Sequence, residues 1–556
     1  MTVNTRIIKL FLRRDDLTYV PLEGGLRLQI LSTVSQLPQC QKHHFAAFIQ
    51  DQALLIVWDD DPNHISERVQ SIEDQLIAMI WKEDSIEHEP STPGFGSRMP
   101  SRAPSTFNTN SYPKGTEAFD EKLTQPPRQI ALIQPILTAL CLVLLIGAIG
   151  SGWREIAIEL KIDHSWLRLA FAVVVPFQCW LALFFMQSVA GCIAQMVGPI
   201  SQMSANTKFY SGQAPPRIYG STLPHVTIQC PVYKEGLWSV IDPTVKSVKA
   251  AISTYEMQGG TGNIFINDDG MQLVPAEEAQ ERREYYEEHN IGWVSRPKHT
   301  PKPKEGETRF IRAGKFKKAS NMNYALNVSA RVEDKLTSHP RGQEWSPDQE
   351  HDLYESALAA VVAEDEGRTW AAGNVRLGDY ILLIDSDTRV PVDCFLDAVS
   401  EMEFSPQVAI IQFSSGVMNV TTSWFEKGIT FFTNLVYTAI QYAVSNGDVA
   451  PFVGHNAFLR WSAVQDVAYF EDETEKYWSE ATVSEDFDMA LRLQTSGYIL
   501  RLAAYAGQGF KEGVSLTVYD ELARWEKYAY GCSELIFHPF KYWFVRGPFT
   551  VCIVPH

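Results

Sequence analysis

The sequence predicts an α/β protein: a mostly parallel, doubly wound sheet attached to a transmembrane helical hairpin and preceded by a small α+β module. Three features of the chain carry this prediction. Strand-like apolar runs alternate with helical patterns in the second half, as in HVTIQC, NIFIN and YILLID, the order expected of strands joined by crossover helices. Residues 378–389, GDYILLIDSDTR, form a continuous apolar run of the kind buried on both faces of a parallel sheet, and it stops abruptly at Asp385-Ser386-Asp387. Ahead of these strands lie two long stretches without a single charge.

Taken in order, residues 1–84 read as a small folded module. FAAFIQDQALLIVWDDDP has a strand-like core, and Ile65, Val69, Ile72, Leu76, Ile77 and Ile80 recur at helical spacing on one face. The acidic run in WDDDP reads as a turn and helix start rather than a metal site, because nothing else in the module supplies ligands. Residues 85–128 shift to Ser, Thr, Pro, Gly and Asn with few apolar side chains, the composition of a disordered linker. The charge-free runs at 130–150 and 169–190, within a unit spanning 129–200, are each long enough for the about 20 residues that cross a hydrocarbon core. More than a hundred residues precede the first, which argues against a cleaved signal peptide. A short loop at 151–168 is expected between them, with Trp153 and Trp166 at the interfaces. Residues 189–213 read as a mildly amphipathic stretch along the membrane surface. A catalytic-type α/β domain is expected over 220–535, and residues 536–556 as an interfacial segment with interleaved aromatic and basic residues.

Composition narrows the chemistry. A formal net charge of −18 argues against nucleic acid as a partner. The eight cysteines form no CxxC pair and read as reduced and structural. Ligands of open α/β sheets collect beyond the carboxyl ends of the strands, where Asp385 and Asp387 fall. Two carboxylates there suit a hard divalent cation held against a diphosphate, and they equally suit an exposed turn. Ser484-Glu485-Asp486 similarly suits either an acidic helix start or a base.

The motifs PVYKE, NDDG, KKASNMN, DSD, FVGHN, SED and ELARW stand in the order and approximate spacing of inverting family 2 glycosyltransferases, the group that includes cellulose, chitin and hyaluronan synthases. The chain resembles that family, as a fungal-type polysaccharide synthase-like protein, from residue 224 to about 535, and back to about 130 with the hairpin. The resemblance implies a GT-A nucleotide-diphospho-sugar transferase fold on the cytosolic side of a membrane. It also implies a nucleotide-sugar donor (a UDP-sugar), a carbohydrate acceptor, lipid contact, Mg²⁺ or Mn²⁺, and possible oligomers. Positive charge flanks the spans on both sides, so the cytosolic placement rests on nucleotide sugars being cytosolic metabolites.

Residue by residue, the resemblance implies that Pro231, Tyr233 and Glu235 line the uridine pocket and that Asp268 and Asp269 reach base and ribose. Lys318 would contact the diphosphate, with Asn321 and Asn323 fixing its loop. Asp385 and Asp387 would bracket metal and donor, Asp387 as the direct ligand. Asp486, beside Glu485, is the implied general base. Gly454 and His455 would touch the acceptor, Arg524 the diphosphate, and Trp525 would stack on the acceptor sugar. Arg309, Arg312, Lys315 and Lys317 read as a solvated basic loop rather than a phosphate funnel.

Five departures from the family pattern stand out. Ser484 replaces Thr, His455 stands at a Thr position, and Glu521 replaces Gln. Residues 339–376 read as an inserted helix on the surface. Processive relatives also continue into further spans, whereas this sequence stops at His556, so it is either incomplete or works without that channel. The expected activity is metal-assisted inverting sugar transfer to a growing β-linked polysaccharide. Transfer of a single sugar to a lipid or other acceptor, or a catalytically dead membrane scaffold suggested by Glu521 and the short tail, are the alternatives.

Overall fold

The computed structural model describes residues 128–536 except 219–222, 304–308, 315–316, 342–344 and 472–473, together with short stretches between residues 2 and 76. Residues 85–127 of the predicted linker, the WDDDP acidic run and residues 537–556 lie outside the described residues.

At the N-terminus, five short strands form one sheet: β1 (Thr2–Val3), β2 (Tyr19–Pro21), β3 (Arg27–Leu31), β4 (Ala46–Ile49) and β5 (Leu54–Val57), in the order β1-β5-β4-β3-β2. Every residue of β4 is buried, as are Ile65, Val69, Ile72 and Leu76 from the helical-spaced run.

The two charge-free runs become long apolar rods. Helix α1 (Ile133–Asp163) continues well past the predicted first span, because the segment foreseen as a loop, GWREIAIELKID, is rich in helix formers. It ends only at His164, which takes the left-handed cap conformation at φ 53°. A 3₁₀ run, Trp166–Val174, leads directly into α2 (Val175–Val197), so residues 189–197 complete this rod instead of lying flat along a surface. Both rods are long and apolar enough to cross a membrane.

The remaining chain builds a nine-stranded sheet covered on both faces. Its elements are β6 (Tyr210–Ser211), β7 (His225–Val232), α3 (Asp242–Met257), β8 (Thr261–Asp268), α4 (Ala276–Glu288) and β9 (Gly292–Ser295). Next come α5 (Lys318–Ser338), α6 (Pro347–Glu364), β10 (Trp370–Ala372), β11 (Tyr380–Leu383), α7 (Cys394–Phe404), β12 (Val408–Phe413), β13 (Gly416–Val417) and α8 (Trp424–Ser445). After these follow β14 (Ala457–Arg460), α9 (Trp461–Asp466), the hairpin of β15 (Tyr469–Glu471) and β16 (Thr474–Lys476), α10 (Glu485–Thr495), β17 (Ile499–Ala503), β18 (Lys511–Glu512) and α11 (Val518–Ile536).

Alternate residues of the buried strands serve opposite faces. Leu382, Ile228, Ile266 and Ile411 pack with Val245 and Val248 of α3 and Val399 of α7. Ile381, Leu383, Ile410 and Leu500 pack with Met322 and Leu326 of α5 and Leu493 of α10.

Strand order is β10-β9-β8-β7-β11-β14-β12-β17-β6, and the sheet is mixed. Parallel pairing joins β9, β8, β7 and β11, and again β12, β17 and β6; β10 and the interior β14 run antiparallel. The reversal of β14 matters for the site. A strand that begins where its neighbours end brings the residues before it to the same edge as the residues after them. Ala457 pairs with Leu383, so Gly454 and His455 lie beside Asp385.

The inserted segment is more than a surface elaboration. Ala357, Leu358 and Val361 of α6 are buried against Val328, Val332 and Leu336 of α5, and β10 adds an edge strand to the sheet. The chain also joins the sheet earlier than expected, through β6 pairing with β17. The six described cysteines are all free.

Candidate active site

The loop after β11 is anchored from beneath. The Thr244 hydroxyl of α3 donates to the Ser386 carbonyl (2.6 Å), and Thr388 N donates to the Asp385 carbonyl (3.2 Å), closing the turn. Across from it, Lys317 adopts φ 65° and turns the chain into α5, which places Lys318 on the first turn of a 21-residue helix. Lys318 Nζ donates to Asp385 Oδ1 (2.6 Å) and to the Gly454 carbonyl (3.2 Å). Burial works against the ammonium charge, but Asp385 more than compensates and the Lys318 pKa is raised. Burial likewise opposes the charge of Asp385; Lys318 and then His455 outweigh it and hold the carboxyl below its ordinary range.

Asp387 differs. Burial, reinforced by the neighbouring Asp385 charge, pushes its pKa up. Its Oδ2 faces Gly513, where an added Cβ would stand 2.7 Å away, so the bare glycine keeps this carboxylate's surroundings open. Two crowded carboxylates, only one of them committed to a lysine, fit the donor set of a hard divalent cation that takes its other ligands from phosphate and water. Among the described residues no cluster of three or more His, Cys, Asp or Glu forms a closed metal cage.

Asp486 sits in the first turn of α10, and its Oδ1 accepts from Phe487 N (2.9 Å). Its Oδ2 faces Gly454, which has φ +77°; an added Cβ there would lie 3.1 Å from that oxygen. Burial raises the pKa of Asp486, against the Phe487 amide and the Lys318 charge, and Glu485 is raised by burial in the same way. Helix α11 closes over this helix start. An added Cβ at Gly531 would fall 2.0 Å from Ser484 Oγ, and Val483 N donates to Glu534 Oε2 (2.9 Å).

On α11, Trp525 Nε1 donates to Glu521 Oε1 (2.8 Å), Arg524 Nε lies 3.7 Å from Glu521 Oε2, and the Trp525 ring meets Phe432 of α8 at 5.9 Å between centroids. The substituted Glu521 is thus buried and paired with both neighbours in its motif. The Arg524 contact is an ion pair at 3.7 Å without a hydrogen bond.

Several expected contacts take a different form. Asp268 is completely buried: Arg282, Tyr286 and the amides of Gly270 and Met271 donate to its two oxygens at 2.8–3.2 Å. Asp269 is gripped by Arg296 at 2.5 and 2.9 Å, with Arg312 at 3.2 Å. These carboxylates are sealed inside the protein rather than turned toward a base or ribose, because the arginines of α4 and of the segment after β9 reach them first. Arg312, expected in a solvated loop, is buried and donates to the carbonyls of Pro297, Asp269 and Arg296. Replacing Asp268 with Ala strands the fully buried Arg282, and thermal or denaturant unfolding of the variant should show a loss of about 3 kcal/mol.

The PVYKE loop closes against NDDG. An added Cβ at Gly270 would collide with the Tyr233 carbonyl at 1.4 Å, so only glycine fits this approach. Tyr233 N donates to Glu235 Oε2 (2.6 Å), Pro231 pairs opposite Asn267 in the sheet, and the Tyr233 ring remains about half exposed at 48%. Asn321 Nδ2 donates to the Asn267 carbonyl and Asn323 Nδ2 to the Trp478 carbonyl, pinning α5 to the neighbouring loops.

His455 also departs from expectation. Its Nε2 lies against Glu512 Oε2 and its Nδ1 against the Val453 carbonyl (3.1 Å), so neither nitrogen is directed at an acceptor. Burial opposes its charge, while Glu512 and Asp385 raise its pKa to about 9. Glu512 was not foreseen: KEG in this part of the sequence reads as an ordinary loop, and no local spacing marks it.

With this geometry in view, comparison with known proteins places residues 380–555 in a match to Glycosyl transferase family group 2. Residues 1–92 match a domain of unknown function (DUF7928). Among curated relatives, the Glucans biosynthesis glucosyltransferase H of Xanthomonas campestris pv. campestris is 27% identical over 159 residues, which is 28% of this chain and 24% of the relative. The protein of the same name in Xanthomonas euvesicatoria pv. vesicatoria matches at the same identity and coverage. The chain thus spans about a quarter of the length of these relatives. Among solved structures, a mannosyltransferase from Pyrobaculum calidifontis in complex with GDP-Man and Mn²⁺ aligns with 63% of this chain and 77% of its own, at 14% identity and TM-score 0.35. Mannosyl-3-phosphoglycerate synthase from Rubrobacter xylanophilus aligns with 57% and 75%, at 14% identity and TM-score 0.28.

Proposed function

We propose that this chain is a membrane-bound, inverting glycosyltransferase with a GT-A fold that transfers a sugar from a nucleotide-diphospho-sugar to a carbohydrate acceptor. One observation carries the reading: the Lys318 ammonium spans Asp385 Oδ1 and the Gly454 carbonyl, and Asp486 stands against that same glycine. Four segments far apart in sequence thereby place a cation, strand-end carboxylates and a separate carboxylate around one spot.

In this reading Asp486 takes the proton of the acceptor hydroxyl as its oxygen attacks the anomeric carbon. The bond from that carbon to the diphosphate breaks, with inversion to a β linkage, and Lys318 compensates the charge of the departing diphosphate. A Mg²⁺ or Mn²⁺ ion held by Asp387 with Asp385 would supply further Lewis-acid charge compensation there. The similarity to relatives named for glucan biosynthesis supports a UDP-glucose donor and a glucan product. The Glu521 part of the case for a scaffold weakens, since this carboxylate accepts from Trp525 and lies 3.7 Å from Arg524 in its own helix.

Membrane placement is supported by the two exposed apolar rods, whose ends dock on α8: Gln134 N donates to the Asn446 carbonyl (3.0 Å) and the Tyr442 hydroxyl to the Ala194 carbonyl (2.7 Å). Helices α8 and α11 add exposed apolar faces, with Trp424, Phe431, Leu435, Tyr519 and Leu522 outward, as expected beside a lipid surface. Both ends of the hairpin thus meet the soluble domain on one side, which this reading takes as the cytosol.

Membranes containing the full chain should incorporate label from UDP-glucose in preference to other UDP- and GDP-sugars. Product length then separates polymer extension from single-sugar transfer. Failure to transfer from any nucleotide sugar, with the protein folded, overturns the reading.

A further inference from the structure

Resting on that reading, we propose that Glu512 and His455 form a positioning pair that holds the Gly454 loop in register with the Asp385–Asp387 loop, and so sets where Asp486 and Lys318 meet the substrates. The role of His455 is then mechanical, and Glu512 becomes part of the site although it contacts no reacting group.

Both ring nitrogens of His455 face groups that only accept hydrogen bonds, the Glu512 carboxylate on Nε2 and the Val453 carbonyl on Nδ1, with Asp385 Oδ2 3.9 Å from Nδ1. An imidazole so engaged has no N–H left for an acceptor sugar, but it ties two segments together firmly. One is the turn before β14, whose Gly454 carbonyl receives Lys318 and whose α-carbon abuts Asp486. The other is β18. Its backbone is fixed to the loop bearing the paired aspartates, since Lys511 N donates to the Arg389 carbonyl (3.0 Å) and Arg389 N to the Lys511 carbonyl (2.9 Å).

β18 is held from a further side. It pairs in parallel with β13, Met418 N donates to the Glu512 carbonyl (2.9 Å), and the next residue, Gly513, abuts Asp387. The second oxygen of Glu512 accepts from the Tyr437 hydroxyl of α8 (3.4 Å). With side-chain exposures of 15% and 19%, the two partners interact where water screens them poorly. The Glu512–His455 contact is therefore a further side-chain bridge, beside Lys318, between the loop that carries the donor-side carboxylates and the loop that orients the base. A Thr at position 455 is too short to reach Glu512 and would leave that carboxylate without its partner.

The test is a double-mutant cycle in the detergent-solubilised full chain, comparing wild type, Glu512→Gln, His455→Thr and the double variant. Unfolding temperature, UDP affinity with Mg²⁺ by calorimetry, and turnover from UDP-glucose are measured for each. Each single variant should lower turnover about tenfold and leave UDP affinity within about threefold, and the double variant should be no worse than the poorer single, as for contacting partners. Effects that multiply in the double variant overturn the pair. Loss of Mg²⁺-dependent UDP binding in Glu512→Gln alone also overturns it, because Glu512 would then act on the donor directly. If wild type itself transfers no sugar, the glycosyltransferase reading fails separately. The cycle on unfolding temperature still decides the pair, with non-additive shifts supporting it and additive shifts overturning it.

Discussion

Asp486→Asn is expected to lower turnover by about 10²–10⁴-fold while nucleotide affinity stays within about twofold. The size follows from the role. A base that accepts a proton in the transition state contributes nothing to holding the donor, so its loss appears in turnover and spares binding. If Asp486 served only as an acidic residue in the first turn of α10, the change would cost a fraction of a kcal/mol to about 1 kcal/mol of helix stability and little rate. Asn keeps the volume and an oxygen able to accept from Phe487 N, so the fold should survive the substitution.

Burial adds a pH signature. It raises the pKa of Asp486 above the ordinary 3.8, so as pH falls the base becomes protonated, and inactive, before an exposed aspartate would. The acid limb of the pH–rate profile should therefore lie above pH 3.8 and disappear from the residual rate of the Asn variant. A profile flat to pH 4 with full activity in Asp486→Asn would remove Asp486 from the chemistry.

Excess chelator should abolish turnover, and added Mg²⁺ or Mn²⁺ should restore it. Asp387→Asn should raise the metal concentration needed by about tenfold or more and weaken donor binding with it, because one charge-assisted ligand is worth upwards of 1.4 kcal/mol. The physical basis is the contrast between the two carboxylates. Asp385 is already compensated by Lys318 at 2.6 Å, whereas Asp387 carries a pKa raised by burial and by Asp385, a strain that a bound cation relieves. Asp385→Asn should therefore act differently, loosening Lys318 from the loop as well as affecting the metal. Isothermal calorimetry with UDP, with and without metal, reads these variants independently of turnover. Full activity in chelator, with tightly bound metal excluded by elemental analysis, would dismiss the cation.

Some of this was legible in the sequence because it depends on neighbours along the chain. A charge-free run of about twenty residues is long enough to cross a hydrocarbon core, and the apolar run YILL is buried as a continuous run of this kind is expected to be. Strand-end placement of Asp385 and Asp387 and Asp486 in the first turn of α10 follow from local pattern, whereas KKASNMN, read as a loop, is the start of α5. The periodic face of Ile65, Val69, Ile72 and Leu76 is buried for the same reason.

What only the tertiary structure decided involves distances between segments hundreds of residues apart. Local pattern cannot reveal that β14 runs antiparallel, although that reversal is what carries Gly454 and His455 to Asp385. Nor can it show that Arg282 and Arg296 reach Asp268 and Asp269 before any ligand does, since a carboxylate at a strand end has the same local signature whether it meets a nucleotide or a buried guanidinium. Glu512 is the clearest case. Alone it is one acidic residue in a loop, and its part in the site exists only because the backbone of β18 is paired to the aspartate loop on one side while its side chain meets His455 on the other. Local sequence sets which groups stand at the ends of elements. The partners that determine each group's charge and direction come from strand pairing and packing across the sheet, where side chains distant in sequence compete for the same contacts.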